Sequence, residues 1–185
     1  NELEVQKNDR VAILSESKPE YGACVFASIL SGATTVPLDI KLTKFELVSI
    51  LTDCQPKVLL VSQTYIEKAL EIQKEVPSIK HIIVMDEPSY NMTLPSLYTI
   101  DSTPNCKWRH RSSKSTAFII YTSGTTGNPK GVEISFRNML AQLNALSTVV
   151  PEFIPAGENT KILSILPMNH LFELTVGFST FLLLG

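Results

Sequence analysis

Short apolar runs alternate with longer amphipathic segments over residues 1–86. Four of the runs lack polar alternation and are predicted to be strands: 11–14, 35–38, 58–61 and 81–84. Apolar residues on both sides of a strand indicate that both faces are covered. Strands that alternate with helices favour parallel pairing. The pattern therefore predicts an α/β fold with layered, mostly parallel sheets and helices on both faces.

The segments between these runs carry helix start and stop signals. Pro19 suits the first turn of one helix, and Gly32 suits its end. Thr43 and Glu46 have the spacing of a capping box, in which each side chain accepts from the other residue's backbone N–H. Residues 64–67 repeat that spacing, so they predict a capped start for a third helix.

The regular pattern fades between residues 87 and 116, where prolines interrupt a polar stretch. We predict a first α/β subdomain at 1–86, a connecting segment at 87–116 with a short strand near 97–100, and the start of a second, truncated α/β subdomain at 117–185. Basic residues cluster at 107–114. Because the cluster has no periodicity, we interpret it as a solvated linker; a patch for a coenzyme A phosphate or a nucleic acid is the alternative.

The second half of the chain opens with an apolar, strand-like run at 117–120. A Gly/Thr-rich segment follows, and then a second predicted strand at 132–134. Ser135 has the position of a helix cap before an apolar stripe that predicts a long helix. Beyond a loop, we predict a strand at 161–166 and a buried helix at 171–184.

The segment 121–131, YTSGTTGNPKG, contains three glycines, three threonines and one lysine. Glycines let a backbone approach a ligand closely, hydroxyls donate hydrogen bonds, and Lys130 adds a positive charge. This composition predicts a loop that binds a polyphosphate. It does not match the G-x-x-x-x-G-K-[ST] phosphate loop, because Pro129 precedes the lysine and Gly131 follows it. A Gly/Thr-rich hairpin without a ligand is the alternative.

Composition limits the partners and the cellular compartment that the protein is predicted to have. The formal net charge is −2, so no global field favours a nucleic acid or an anionic membrane. Cys24, Cys54 and Cys106 are widely spaced, which argues against a disulfide framework or a cysteine metal site and favours a reducing compartment. The apolar run 171–184 is shorter than the ~20 residues of a membrane span. We predict a cytoplasmic protein without a transmembrane segment or a nucleic acid partner, and leave peripheral contact with the inner membrane face open.

Two motifs carry a resemblance to a known family. Tyr121–Val132, YTSGTTGNPKGV, resembles the phosphate-loop signature of the adenylate-forming (AMP-binding) superfamily. Leu166–Glu173, LPMNHLFE, resembles the next motif of that superfamily, in the form associated with long-chain fatty acyl-CoA synthetases. Residues 9–61 are similar in order and spacing to the amino-terminal part of those enzymes. The resemblance implies the incomplete N-terminal part of an adenylate-forming enzyme, and both ends of the sequence favour a fragment of a longer protein.

The resemblance implies ATP-dependent activation of a medium- or long-chain fatty acid to an acyl adenylate, followed by transfer to coenzyme A. It implies ATP, Mg²⁺ and coenzyme A as cofactors, and catalytic roles for Lys130 and His170. The residues implied to bind phosphate are Thr122, Ser123, Gly124, Thr125, Thr126, Gly127 and Lys130, and no residue is assigned as a metal ligand. Two alternatives stay open: an acyl-AMP ligase that feeds a carrier protein, and a non-catalytic ligand-binding or scaffold protein of the same fold.

The chain departs from the family at Phe136, where many relatives have a histidine. The family's glutamate motif, ribose-binding aspartate and carboxy-terminal lysine are expected beyond residue 185, so the chain alone is expected to be inactive. Without nucleotide, residues 125–129 are expected to be mobile. Phe172 is expected to be pocket wall or core, and Glu173 to be a charge favoured at a helix start. Other apolar residues from 171 to 181 are expected to pack in the core, with an acyl tunnel as the alternative.

Overall fold

The computed structural model describes residues 3–90, 93–100, 110–122, 129–153, 161 and 163–180. Within those ranges, six strands form one sheet: β1 (Arg10–Leu14), β2 (Thr34–Pro37), β3 (Val58–Val61), β4 (His81–Val84), β5 (Thr116–Thr122) and β6 (Lys130–Ser135). Their order across the sheet is β4-β3-β1-β2-β5-β6. Strands β1 to β5 are parallel, and β6 runs antiparallel to β5. The predicted fold class, α/β with a mostly parallel sheet, is confirmed.

The described residues also form four α-helices: α1 (Pro19–Leu30), α2 (Lys44–Cys54), α3 (Ile66–Glu75) and α4 (Phe136–Phe153). A 3₁₀ turn at Gln63–Tyr65 precedes α3, and Glu173–Ser179 is π-helical. Across the part of the chain that the structure describes, no helix combines the length and the hydropathy that a membrane crossing requires.

The sheet has a core on each face, because successive residues of a strand point to opposite sides. In β1, Val11 and Ile13 belong to the core that includes residues of α1 and α4. Ala12 and Leu14 belong to the core that includes residues of α2 and α3. Helices therefore cover both faces of the sheet, as predicted.

The helix signals predicted for α1 and α2 are confirmed. Helix α1 begins at Pro19, and Gly32, just past its end, has the left-handed φ of 84° that favours glycine. At the start of α2, the Glu46 N–H donates to Thr43 Oγ1 at 3.3 Å, and the Thr43 N–H donates to Glu46 Oε2 at 2.8 Å. These two bonds satisfy backbone donors that a helix start otherwise leaves free.

The capping box predicted at residues 64–67 is wrong. A 3₁₀ turn occupies Gln63–Tyr65, and no side chain of the segment caps the start of α3. The Gln63 N–H instead donates at 2.7 Å to the carboxylate of Asp86, which follows β4. The partner comes from a neighbouring strand end, and spacing along one segment does not reveal such a partner.

Two predicted strands are also wrong. Near 97–100 strand pairing is limited to one isolated parallel bridge between Ser96 and Val84 of β4, after which the chain forms a turn in which the Thr99 N–H donates to Ser96 O at 3.0 Å. The described residues of 161–166 lie in no strand, and Leu163 there is 81% exposed. A strand is stabilised by a ladder with a neighbour, and no described strand pairs with this segment.

Strand β5 extends the sheet that β1 to β4 begin. Thr35 of β2 pairs with Phe118 of β5, and both residues are fully buried. The hairpin β5–β6 therefore stands beside β2 in the same layer. The division of the chain at residues 86 and 117 stays a prediction.

The two described cysteines are buried free thiols in opposite cores. Cys24 lies in the core with α1, and Cys54 in the core with α2. Burial raises the pKa of each thiol to about 12. Both thiols therefore stay protonated at neutral pH and pack as small apolar groups. Cys106 lies outside the described residues.

Candidate functional site

A cleft of about 790 Å³ opens at the carboxyl ends of β2 and β5. Its lining comes from the end of β2 and the two residues after it (37–39), from Leu42 and the first two turns of α2, from the β5–β6 hairpin and from residues 169–171. Its polar groups lie among apolar side chains: Asp39, Glu46, Ser49, Tyr121, Thr122, Asn169 and His170. Open α/β sheets bind ligands outside the carboxyl ends of their strands. This cleft is therefore the candidate site.

The β5–β6 hairpin brings the two ends of the predicted phosphate loop together. Thr122, the last residue of β5, pairs with Lys130, the first residue of β6. Both side chains are exposed; Thr122 lines the cleft, whereas Lys130 lies beside it in the ladder without lining it. The other predicted phosphate-binding residues lie outside the described residues: Ser123, Gly124, Thr125, Thr126 and Gly127. The segment 125–129, which is predicted to be mobile, also lies outside the described residues except for Pro129.

Tyr121 connects α2 to the stem of that loop, which we define as the paired residues 121–122 of β5 and 130–131 of β6. Its hydroxyl donates to the Asp53 carboxylate in the last turn of α2, and its ring covers Gly131 of β6. A Cβ at position 131 would lie 3.0 Å from Tyr121 Cζ and 2.9 Å from Ile119 Cγ2, so glycine provides room for the ring. Burial, with the hydrogen bond to Asp53, raises the pKa of Tyr121 and keeps its hydroxyl protonated. Sequence reasoning missed Asp53, because nothing in the pattern of α2 connects it to residue 121.

His170 lies on a turn that is anchored to the rest of the fold. Its N–H donates to Pro167 O at 2.9 Å. The neighbouring Met168 is buried, and its N–H donates to Ser17 Oγ at 2.9 Å, which joins the turn to the loop after β1. The His170 side chain is exposed and lines the cleft. The fold thus brings Thr122 and His170, from two separate motifs, to one cleft.

The helical segment after this turn packs mainly into the core. Leu174 is fully buried, and the Phe178 ring centroid lies 5.9 Å from that of Phe26 in α1. These contacts support core packing over an acyl tunnel for both residues. Leu171 does line the cleft, and Phe181 lies outside the described residues.

Phe172 differs from expectation, whereas Glu173 stands at a helix start as predicted but is buried there. Phe172 is 56% exposed, so it is neither core nor pocket wall in the described structure. Glu173 is buried and accepts a hydrogen bond from Ser164 Oγ at 2.5 Å. Its carboxylate also fills the space above Gly177, where a Cβ would lie 2.5 Å from Oε1. Glu173 therefore stands in the first turn of the π-helical segment, as predicted, and is packed and hydrogen-bonded there.

Arg111, within the basic cluster, has a structural role. It donates to Ala33 O at 2.6 Å and to Asn8 Oδ1 at 3.1 Å. Its guanidinium also lies 5.2 Å from the centroid of the Phe136 ring, within the range of a cation–π contact. The solvated-linker interpretation is therefore wrong for Arg111, which fixes the start of β2 to the segment before β5. Residues 107–109 lie outside the described residues.

Fold and site together define an α/β protein with a hydroxyl- and lysine-bearing hairpin at the carboxyl edge of a parallel sheet. Comparison with known proteins gives the family, since the AMP-binding enzyme family matches residues 1–185. Luciferin 4-monooxygenase from Photinus pyralis is 29% identical over 96% of this chain and 33% of its own length. A long-chain-fatty-acid–CoA ligase from Mycobacterium bovis is 26% identical over 97% of this chain and 30% of its own.

A solved structure gives the same result for the fold. A natural red-emitting luciferase from Phrixothrix hirtus matches with a TM-score of 0.84 and 25% identity, over 97% of this chain and 36% of that chain. The chain belongs to the AMP-binding enzyme family and thus to the adenylate-forming superfamily. It spans about a third of the length of the two curated relatives above.

Proposed function

We propose that the complete protein activates a medium- or long-chain fatty acid with ATP and transfers the acyl group to coenzyme A. The observation that carries this proposal is the pairing of Thr122 with Lys130 at the edge of a cleft that His170 also lines. A hydroxyl that lines the cleft, with a cation beside it, suits phosphates. Apolar groups elsewhere in its lining, such as Leu42 and Ile50, suit an acyl substrate.

The proposed reaction has two steps. A carboxylate oxygen of the fatty acid attacks the α-phosphorus of ATP, and pyrophosphate leaves with the electrons of the broken P–O bond. The thiolate sulfur of coenzyme A then attacks the acyl carbon, and AMP leaves. Activation is needed because a free carboxylate has a poor leaving group, whereas AMP is a good one.

The residues contribute binding, charge and alignment. Lys130 is assigned to the phosphate oxygens, where negative charge increases as pyrophosphate leaves. Thr122 and the hydroxyls of Ser123, Thr125 and Thr126 are assigned as neutral donors to the same oxygens, with the backbone of Gly124 and Gly127. His170 is assigned to orient the carboxylate, since its exposed ring lines the cleft that Thr122 enters.

We propose that Mg²⁺ binds together with ATP. This ion takes oxygen ligands and is commonly held by substrate phosphates with few protein groups. Thr122 offers an exposed hydroxyl oxygen at the cleft, so the donor chemistry there fits the ion. When bound, Mg²⁺ would neutralise phosphate charge.

Support for the substrate class is the Leu166–Glu173 motif and the similarity to a long-chain-fatty-acid–CoA ligase. The proposed setting is the cytoplasm, with peripheral membrane contact left open. The buried thiols of Cys24 and Cys54 are compatible with a reducing compartment.

The decisive experiment measures ATP–pyrophosphate exchange by the complete protein with a panel of acids. The panel contains medium-chain and long-chain fatty acids, with a luciferin and an aromatic acid for comparison. We expect exchange to depend on the fatty acids, and thioester to form when coenzyme A is added. Exchange without thioester would favour transfer to a carrier protein, and no exchange with any acid would favour a binding or scaffold protein.

Two histidine variants make this test specific to the site. His170→Ala should raise the KM for the fatty acid about two- to tenfold, the range expected for loss of one hydrogen-bonding group. His81→Ala is the matched control, because His81 begins β4 and does not line the cleft. Equal effects of the two substitutions would contradict the role assigned to His170.

A further inference from the structure

Asp53 occupies an electrostatically unfavourable position in α2. It stands in the last turn of the helix, where the macrodipole disfavours a negative charge, and it is exposed to solvent. Aspartate is also a weaker helix former than alanine or leucine. Helix stability therefore does not account for this residue, whereas its hydrogen bond from the Tyr121 hydroxyl does connect it to another element.

The end of α2 is well suited to act as a fixed support. Leu51 and Cys54 are buried against the sheet, one on each side of Asp53 in sequence. Arg10 of β1 donates from Nε to Cys54 O at 2.6 Å and from Nη2 to Gln55 O at 3.0 Å. These bonds satisfy two carbonyls at the helix end and place a cation there. The carboxylate of Asp53 is thus held on a rigid part of the fold.

Tyr121 connects the fixed carboxylate of Asp53 to the stem of the phosphate loop through its hydroxyl hydrogen bond. Its backbone pairs with Gly131, and its ring lies over that glycine, with Cζ 3.0 Å and Oη 3.2 Å from the position of a Cβ. The adjacent pair in the ladder is Thr122 with Lys130. A shift of the Tyr121 ring would therefore move the strand positions next to both predicted phosphate-binding residues.

We propose that Asp53 is a positioning residue, which acts through Tyr121 to hold Thr122 and Lys130 in the geometry that binds the phosphates of ATP. This role rests on the proposed function only in naming ATP as the ligand. Asp53 lies outside the phosphate-loop motif and does not line the cleft.

The test uses the complete protein and the variants Asp53→Asn, Tyr121→Phe and the double variant. Loss of one hydrogen bond should weaken binding of a non-hydrolysable ATP analogue, measured calorimetrically with Mg²⁺, about two- to tenfold in each single variant. The double variant should lose no more than either single variant, because both substitutions break the same contact. The KM values for the fatty acid and coenzyme A should not change in Asp53→Asn, because Asp53 does not line the cleft.

A second tyrosine–carboxylate pair provides a matched control. The Tyr98 hydroxyl donates to Glu20 Oε1 at 3.0 Å, also at an exposed site, but Glu20 belongs to α1 and Tyr98 to the turn at 97–100 rather than to β5 or β6. Tyr98→Phe and Glu20→Gln should leave nucleotide affinity unchanged. Unchanged affinity in Asp53→Asn and Tyr121→Phe would overturn the role of Asp53. So would a fall in melting temperature with equal losses for ATP, fatty acid and coenzyme A, because that result describes a general structural contact.

Failure of the proposed function is distinguishable from failure of this role. If the unmodified protein binds the ATP analogue but forms no acyl adenylate from any acid, the proposed function fails and the binding data still decide the role of Asp53. If the unmodified protein binds no nucleotide, both are overturned.

Discussion

Replacing Lys130 with alanine removes the one charged side chain that the hairpin stem places opposite Thr122 in the described ladder. Lys130 is the first residue of β6, and its side chain is exposed. The backbone ladder does not depend on its side chain, so the variant should fold. The substitution therefore tests the charge rather than the hairpin.

The expected loss follows from the position of the lysine. Two unit charges about 4 Å apart interact with ~1 kcal/mol in water and ~4 kcal/mol at the effective dielectric of a protein surface. A charge-assisted hydrogen bond measured by mutation is worth about 1.5–3 kcal/mol, which lies between these limits. We expect Lys130→Ala to slow acyl adenylate formation roughly ten- to a hundredfold.

The assay separates the two half-reactions. Pyrophosphate exchange reports adenylation, in which the charge on the leaving group changes. Transfer from a supplied acyl adenylate to coenzyme A should change less, because pyrophosphate has already left. Lys130→Arg should retain part of the exchange activity, since it keeps the charge with a different shape.

Lys114→Ala is the matched control for this prediction. Lys114 is also exposed, but it lies at the amino end of β5, the end of the strand opposite to Thr122. It should leave exchange unchanged. Equal losses of Lys130→Ala in both half-reactions, or no loss in either, would refute the assignment. Exchange catalysed by residues 1–185 alone would contradict the expectation that essential groups lie elsewhere in the complete protein.

Three further substitutions probe the framework. Ser17→Ala removes the acceptor of the Met168 N–H, so it should raise the KM for the fatty acid with little effect on the KM for ATP, in steady-state kinetics. Gly22→Ala would place a Cβ 2.1 Å from Phe178 Cζ, and overpacking of this kind should cost about 1–3 kcal/mol in chemical unfolding. Burial opposes ionisation of Asp86, but hydrogen bonds from Lys18 and a backbone N–H lower the pKa of its carboxyl group overall. The ionised carboxylate therefore contributes stability that is present above pH ~4 and is lost as the pH falls below that value. In chemical unfolding, Asp86→Asn should be less stable than the unmodified protein at pH 7, and its stability should change less in acid.

Much of the fold was predictable from the sequence because its signals are local. Four strand positions follow from uninterrupted apolar runs, and the α2 start follows from the Thr43–Glu46 spacing. The phosphate-loop motif was likewise recognisable as a contiguous segment, together with its flanking strands β5 and β6. Such features depend on residues within a few positions of one another, so their physical requirements are visible in the order of the chain.

The wrong predictions share a different cause. The 3₁₀ turn before α3 is capped by Asp86, which follows another strand, and the segment 161–166 lacks a strand partner among the described residues. Arg111 fixes β2 from within a stretch that looked solvated. In each case the deciding contact joins segments far apart in sequence, and local propensity carries no information about it.

The candidate site shows the same division. The sequence by itself indicated that a Gly/Thr-rich segment containing Lys130 joins two strands and that His170 belongs to a second motif. Only the tertiary structure decided that Thr122 and His170 line one cleft, and that Asp53 reaches Tyr121. The physical reason is the parallel sheet order, in which β5 inserts beside β2 and brings residues 53 and 121 together although the β3–β4 region separates them along the chain.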